Sequence, residues 1–244
     1  RAVVVGDPLQ VEPVVTIPKV LIDILADSTC VANAYKVIEN SVQTFSDNIN
    51  EFNGMIGERQ VGCPLVVHRR CIEPMFSISN LISYDNRMFN KTNKKEEYLK
   101  PENLFLIKKS GWINVEGEEN GGKDHFVKNQ AERVCQLMED AVHIYSDLFG
   151  TDDKIFIITP FRTVAESMRI ISYFSVKGYD KQILSKWTKN CVGTVHTFQG
   201  KDANEVLLVL GCSNKSAGAM NWVVKKANIL NVACTRAKYR ILEK

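Results

Sequence analysis

Apolar residues recur along this chain in two patterns, short unbroken runs and stripes at helical spacing. Residues 1–5 (RAVVV) predict a buried strand that ends at the Gly6-Asp7-Pro8 turn. Residues 65–68, 104–108, 112–115, 155–159, 192–195 and 206–210 predict further strands, and a last one begins near Tyr239. Helical stripes lie between them. Thr16-Ile17-Pro18 offers a cap-like residue with Pro near a first turn, and Val20, Leu21, Ile24 and Leu25 follow at helical spacing. Residues 31–52 read as helical, with Val37, Val42, Phe45, Ile49 and Phe52 as core positions. A helix is predicted over 72–82. Val127, Ala131, Val134, Met138, Ala141, Tyr145 and Leu148 form one continuous stripe closed by Gly150, which predicts a helix packed on a sheet. Val164, Met168 and Ile171 mark a helix after Pro160, and Ile229, Val232 and Ala233 mark the last one.

Apolar runs alternating with amphipathic helices predict an α/β domain with a mainly parallel sheet flanked by helices. Such sheets place their chemistry at the carboxyl ends of strands. Gly54, Gly57 and Gly62 with Pro64 break the pattern, so a domain junction is expected there, with residues 1–62 on one side and 63–244 on the other. Residues 91–100 read as a charged loop and 117–123 as a flexible one, and there is no internal repeat.

Composition narrows the class. Of 244 residues, 45% are hydrophobic and 24% charged, an ordinary globular balance that excludes disorder over most of the chain. No apolar run reaches the roughly 18 residues of a membrane span, and no secretory leader is legible. The net charge of +3 permits a polyanionic partner only on a local patch. The seven cysteines form no CxxC and have no metal-spaced histidine beside them, which points away from disulfides and zinc and towards a reducing cytosol. The chain opens on Arg1 within an apolar run, as expected of a piece cut from a longer protein.

Four strand-end segments carry candidate chemistry. In Gly6-Asp7-Pro8-Leu9-Gln10 the glycine allows close backbone approach, and the Gln10 amide is both donor and acceptor, suited to a phosphate oxygen or an attacking water. The same residues would also make an ordinary turn. Arg69 and Arg70 offer guanidinium forks that suit a triphosphate, or else a solvated surface pair. Residues 193–202 pack two threonines, His196, Gln199, a phenylalanine and two glycines into one loop, a mixture suited to phosphates, sugars and base stacking. A purely structural connector would not need so many polar groups. Along 231–238, Ala233, Arg236 and Ala237 share a helical face, so Arg236 could reach across an interface or cap the last carbonyls.

The order of these segments resembles superfamily 1 helicases, in the branch that contains the nonsense-mediated-decay helicase and the Okazaki-fragment nuclease-helicase. Gly6 to Gln10 resembles motif III, Arg69-Arg70-Cys71 with Glu73-Pro74-Met75-Phe76 motif IV, Thr159-Pro160-Phe161-Arg162 the strand end that follows, Gly193 to Asp202 motif V and Val232 to Lys238 motif VI. The resemblance implies a RecA-like P-loop NTPase fold. Residues 1–62 would be the tail of a first RecA-like domain and 63–244 the second, with ATP and Mg2+ between the two and single-stranded DNA or RNA across both. It implies that Gln10 senses the γ-phosphate, that Arg70 contacts it with Arg69 near the adenine, and that Arg236 is an arginine finger. It places Gln199, Gly200 and Asp202 where nucleotide couples to nucleic acid, although the family usually has Glu at the position of Asp202. It makes Pro160, Phe161, Arg162, Thr194 and His196 candidates for the nucleic-acid track.

The sequence contains no G-x-x-x-x-G-K-[ST]. ATP and Mg2+ would therefore need the other RecA-like domain, and the chain by itself is expected to be inactive. The reading is the C-terminal part of an ATP-dependent helicase or translocase, cytoplasmic or, in a eukaryote, nuclear. A nucleic-acid-binding module without ATPase activity is the alternative. A kinase-like or GTPase enzyme fits less well, because the resemblance of 232–238 to motif VI has no place in one.

Overall fold

A computed structural model describes residues 3–10, 15–29, 40–92, 105–121, 124–145, 147–213, 215–225 and 227–243. It opens with α1 (Lys19–Ser28), α2 (Val42–Ile49) and the hairpin β1 (Gly54–Ile56) and β2 (Arg59–Val61). Next come β3 (Val67–His68), α3 (Met75–Ser83), β4 (Phe89–Asn90), β5 (Gly111–Trp112), the hairpin β6 (Glu119–Gly121) and β7 (Asp124–Val127), and α4 (Lys128–Ile144). The rest is β8 (Ile155–Thr159), α5 (Arg162–Ser175), α6 (Lys181–Cys191), β9 (Val192–Thr194), a 3-10 turn (Val195–Phe198), β10 (Ala203–Leu208), α7 (Ala217–Lys225), α8 (Ala227–Arg236) and β11 (Ala237–Glu243).

Five strands make one sheet in the order β5-β11-β10-β8-β9, with every neighbouring pair parallel. All of β8 is buried, the state of a strand covered on both faces, and this is why it reads as an unbroken apolar run. Ala131, Val134, Met138 and Ala141 of α4, Met168 of α5 and Leu184 and Trp187 of α6 join one core with Val232 and Ala233 of α8. Each fully buried isoleucine of β8 contributes about 2 kcal/mol of transfer free energy. The result is an α/β, RecA-like fold, a parallel sheet flanked by helices.

Several local expectations need correction. Residues 3–5 are coil, with Val3 and Val5 exposed, and no described strand pairs with them. In α1 the buried positions are Ile22 and Ala26, whereas Val20, Leu21, Ile24 and Leu25 are exposed. Val42, Phe45, Ile49 and Phe52 are exposed too, because α2 turns Asp47 inward, where its carboxylate accepts from Gln43 Nε2 at 2.8 Å and Gly62 N at 3.1 Å. Val37 lies outside the described residues. The glycine-rich break at 54–62 holds the β1–β2 hairpin, with Gly57 at φ +58° in its turn. Residues 119–121 and 124–127 pair as β6 and β7, where a loop was expected over 117–123. Residues 105–108 are not a strand. Instead their amides meet a carboxylate: Glu205, fully buried in β10, accepts from Leu106 N at 2.8 Å, from Ile107 N at 2.6 Å and from the Tyr145 hydroxyl. Burial pushes the Glu205 carboxyl above its ordinary range.

Candidate functional site

Arg236 ends α8 and enters β11, so it stands at the amino end of the sheet rather than at the carboxyl ends of the strands. Its side chain is fully buried. Nε donates to Val232 O at 3.3 Å, the helix-end contact expected of a terminal arginine. Nη1 donates to Phe198 O at 3.3 Å and Lys201 O at 3.1 Å, and Nη2 to Thr235 Oγ1 at 3.0 Å and Gln10 Oε1 at 3.3 Å. All these partners are neutral. Among the described residues no carboxylate lies within ion-pair distance of Arg236. Its pKa is pulled down to about 10, by burial first and then by the charge of Arg70, with Asp202 acting in the opposite sense. A buried cation balanced only by dipoles is poised to take an anion.

Gln10 is oriented by the polarity of its own amide. Asp7 Oδ2 accepts from Gln10 Nε2 at 2.9 Å, which leaves Oε1 for Arg236. Asp7 also accepts from Leu9 N at 3.0 Å, closing the turn. The turn is held in place by Asn231, which is fully buried in α8. Asn231 Nδ2 donates to Leu9 O at 2.7 Å and to Tyr84 Oη at 3.2 Å, and Oδ1 accepts from Ser79 Oγ of α3. The Tyr84 hydroxyl donates to Asp7 Oδ2, and burial, followed by the Asp7 charge, raises its pKa, so the phenol stays neutral.

Arg70 follows β3 in a tight turn. Cys71 N lies 2.9 Å and Cys71 Sγ 3.0 Å from His68 Nε2, and burial pushes the Cys71 thiol up to about 12. The turn sends Arg70 towards Asp202, with Nε–Oδ2 at 3.7 Å, while Arg69 is exposed. The second oxygen of Asp202 meets Lys238 Nζ at 2.6 Å. The amino end of the sheet thus gathers Arg70 and Lys238 on the carboxylate of Asp202, with the buried Arg236 close by but outside ion-pair distance of it. This excess of cations fits a polyphosphate. Among the described residues no cluster of three His, Cys, Asp or Glu could hold a metal ion.

The loop 193–202 connects this end with the opposite one. β9 and β10 flank β8, so the chain must cross β8 between them. It crosses on Phe198, buried against Phe156 of β8 with ring centroids 4.4 Å apart. Thr194 and His196 stand at the carboxyl side of the crossing, and Lys201 and Asp202 at the amino side. Gln199 and Gly200 are exposed at the turn, where Gly200 has φ +82°. Thr194 pairs in register with Thr159, which sets the end of β9 beside the strand end that leads into Pro160, Phe161 and Arg162, and His196 follows two residues later, exposed in the 3-10 turn. Phe161 is half-buried between His125, 4.2 Å between centroids, and Trp222, 5.5 Å. Arg162 is exposed and pairs with Glu166 at 2.8 Å. Below this shelf His125 Nδ1 lies 3.2 Å from Glu119, which also accepts from Ser213 N at 2.9 Å. Burial opposes ionisation of Glu119, but hydrogen bonds from Ser216, Ser213 and His125 outweigh it and hold the carboxyl below its ordinary range.

The structure therefore brings Gln10, Arg70, Arg236 and Asp202 to one end of the sheet, and at the other it sets Thr194 beside the strand end that carries Pro160, Phe161 and Arg162, with His196 in the turn that follows. Arg69, Gln199 and Gly200 stand at the surface. Asn231, Tyr84 and Lys238 were missed as site residues. Asn231 had a readable signal, a lone amide inside the apolar stretch 229–233 of a helix. Tyr84 had none.

No curated protein matches the chain. Residues 51–242 match a family model described as an AAA domain (AAA_12), one found in superfamily 1 helicases. The match runs from the β1–β2 hairpin through β11 and takes in Arg70, loop 193–202 and Arg236, while Gln10 lies before it. On that match, over most of its length, the chain belongs to this AAA domain family.

Proposed function

We propose that this chain is the C-terminal part of an ATP-dependent helicase or translocase acting on single-stranded DNA or RNA. Residues 1–62 would close a first RecA-like domain and 63–244 form the second. The observation that carries the reading is Arg236, a buried guanidinium with no carboxylate partner among the described residues, which grips Gln10 on one side and the carbonyls of loop 193–202 on the other. Gln10, Arg70 and Arg236 would hold the terminal phosphates, and the P-loop and Mg2+ ligands would come from the other domain. Bound ATP would supply the phosphoanhydride whose cleavage drives the motor. A site split between two domains is assembled only when they close, which ties turnover to movement.

Thr194, His196, Phe161 and Arg162 would carry the strand through stacking and phosphate contacts, which tolerate either sugar. The family resemblance implies 5′ to 3′ movement and a cytoplasmic or, in a eukaryote, nuclear site of action. Among the described residues no helix is long and apolar enough to cross a membrane. The test is unwinding of tailed DNA and RNA duplexes by the full-length protein with and without ATP. Strand binding that leaves ATP unhydrolysed would instead support a nucleic-acid-binding module without a motor.

A further inference from the structure

Arg70 and Lys238 share the one carboxylate of Asp202, with the buried Arg236 guanidinium behind them, so the cluster is not balanced in charge. Asp202 is saturated on one side only. Lys238 Nζ, at 2.6 Å from Oδ1, is at the short end of a charge-assisted hydrogen bond. Arg70 Nε, at 3.7 Å from Oδ2, is within Coulomb range but beyond hydrogen-bond distance. Arg70 makes no hydrogen bond among the described residues, so its donors await a better acceptor. Lys238 is held in position by its own backbone, whose carbonyl accepts from Ile72 N at 3.1 Å just after the Arg70 turn. The side chains of Arg70, Lys238 and Asp202 are between 22% and 35% exposed, which leaves this pair of contacts open to a solute.

We propose that Asp202 is a resident counter-ion in the place of a phosphate: it holds Arg70 and Lys238 while the cleft is empty and yields both to the terminal phosphate of the nucleotide, which makes Lys238 a phosphate-binding residue. The inference rests on the nucleotide reading above and goes beyond it. A phosphate carries more charge than a carboxylate and can accept both donors of the Arg70 fork at hydrogen-bond distance. Asp202 is also the last residue of loop 193–202. Its neighbour Lys201 stays tied to Arg236 through its carbonyl. Release of Asp202 therefore frees one tether of a loop whose other end carries Thr194 and His196. The loop would read the state of the nucleotide through an exchange of ion pairs.

A competing role for Asp202, contact with the ribose, predicts the opposite sign. The experiment measures equilibrium affinity of the full-length protein, without nucleic acid, for the β,γ-imido analogue of ATP and for inorganic tripolyphosphate, which has no ribose. Asp202→Asn should bind both about 3- to 10-fold more tightly than the natural protein, because a competing anion is gone. Lys238→Gln should bind both roughly 10-fold more weakly. Asp202→Ser and thermal melting of each variant separate lost folding from altered affinity. Weaker analogue binding by Asp202→Asn with unchanged tripolyphosphate binding would overturn the proposal in favour of a ribose contact, and so would normal affinity of Lys238→Gln for both. A natural protein that binds neither ligand would refute the nucleotide reading itself, and this inference with it.

Discussion

Asn231→Ala should loosen the turn that carries Gln10. Asn231 is fully buried and its amide makes three hydrogen bonds, to Ser79, to the Leu9 carbonyl and to Tyr84. A buried hydrogen bond contributes about 1 kcal/mol net, and a partner left without one costs about 1–3 kcal/mol. Tyr84 keeps Asp7 as its acceptor, so its loss is small. The Ser79 hydroxyl and the Leu9 carbonyl lose their partner outright, and the sum is roughly 2–4 kcal/mol. Ser79→Ala removes one of the three bonds and should cost about 1 kcal/mol. The double variant should cost less than the sum of the two, because each single change already breaks the bond they share. Urea unfolding of the chain checks this: the midpoint should fall with little change in slope. Asn231→Ala within 0.5 kcal/mol of the natural chain, or strict additivity with Ser79→Ala, would refute the clamp.

Two further outcomes are expected. Glu119 is held below the ordinary carboxylate range, so its stabilisation is complete above the unfolded pKa of about 4.3 and is lost as pH falls through the lower folded value. Glu119→Gln should cost about 1 kcal/mol at pH 7, and melting curves of the two chains should converge on acidification; a gap independent of pH would contradict the assignment. His196→Ala in the full-length protein should weaken single-strand affinity roughly 10-fold, whereas Gln199→Ala should spare nucleotide-free strand binding and lower strand-stimulated ATPase. Equal losses of thermal stability, with no split between binding and turnover, would mean that the loop is only a connector.

The layers of the fold were legible because their burial is regular. β8 lies at 155–159, where its apolar run placed it, and the stripe from Ala131 to Ala141 lies on α4, although Val127 ends β7 and Tyr145 and Leu148 fall past the helix, which stops at Ile144 rather than near Gly150. The two hairpins were hidden because their strands are short, at most 4 residues, and rich in glycine and charge. α6 was missed although Asp180 caps it, accepting from Gln182 N and Ile183 N, because its polar residues broke the apparent stripe. The segment at 105–108 looked like a strand and is held by the carboxylate of Glu205, a partner about 100 residues away that no local pattern reveals. At the site, residue types were readable and partnerships were not. Gln10 and Arg236 are 226 positions apart, and only the docking of the N-terminal turn on α8 brings them together. The neutral surroundings of Arg236 are likewise a tertiary fact, set by which carbonyls the 193–202 loop turns inward.

The most direct test of the central claim is the turnover number for ATP in full-length protein carrying Arg236→Ala, with Arg236→Lys beside it and melting curves to confirm folding. If Arg236 stabilises charge that develops on phosphate in the transition state, kcat should fall by roughly 100-fold or more in the alanine variant while nucleotide affinity changes modestly. The lysine variant should recover little, because the fork that reaches Gln10 and the loop carbonyls is lost. Near-normal turnover in a folded Arg236→Ala protein would contradict the account.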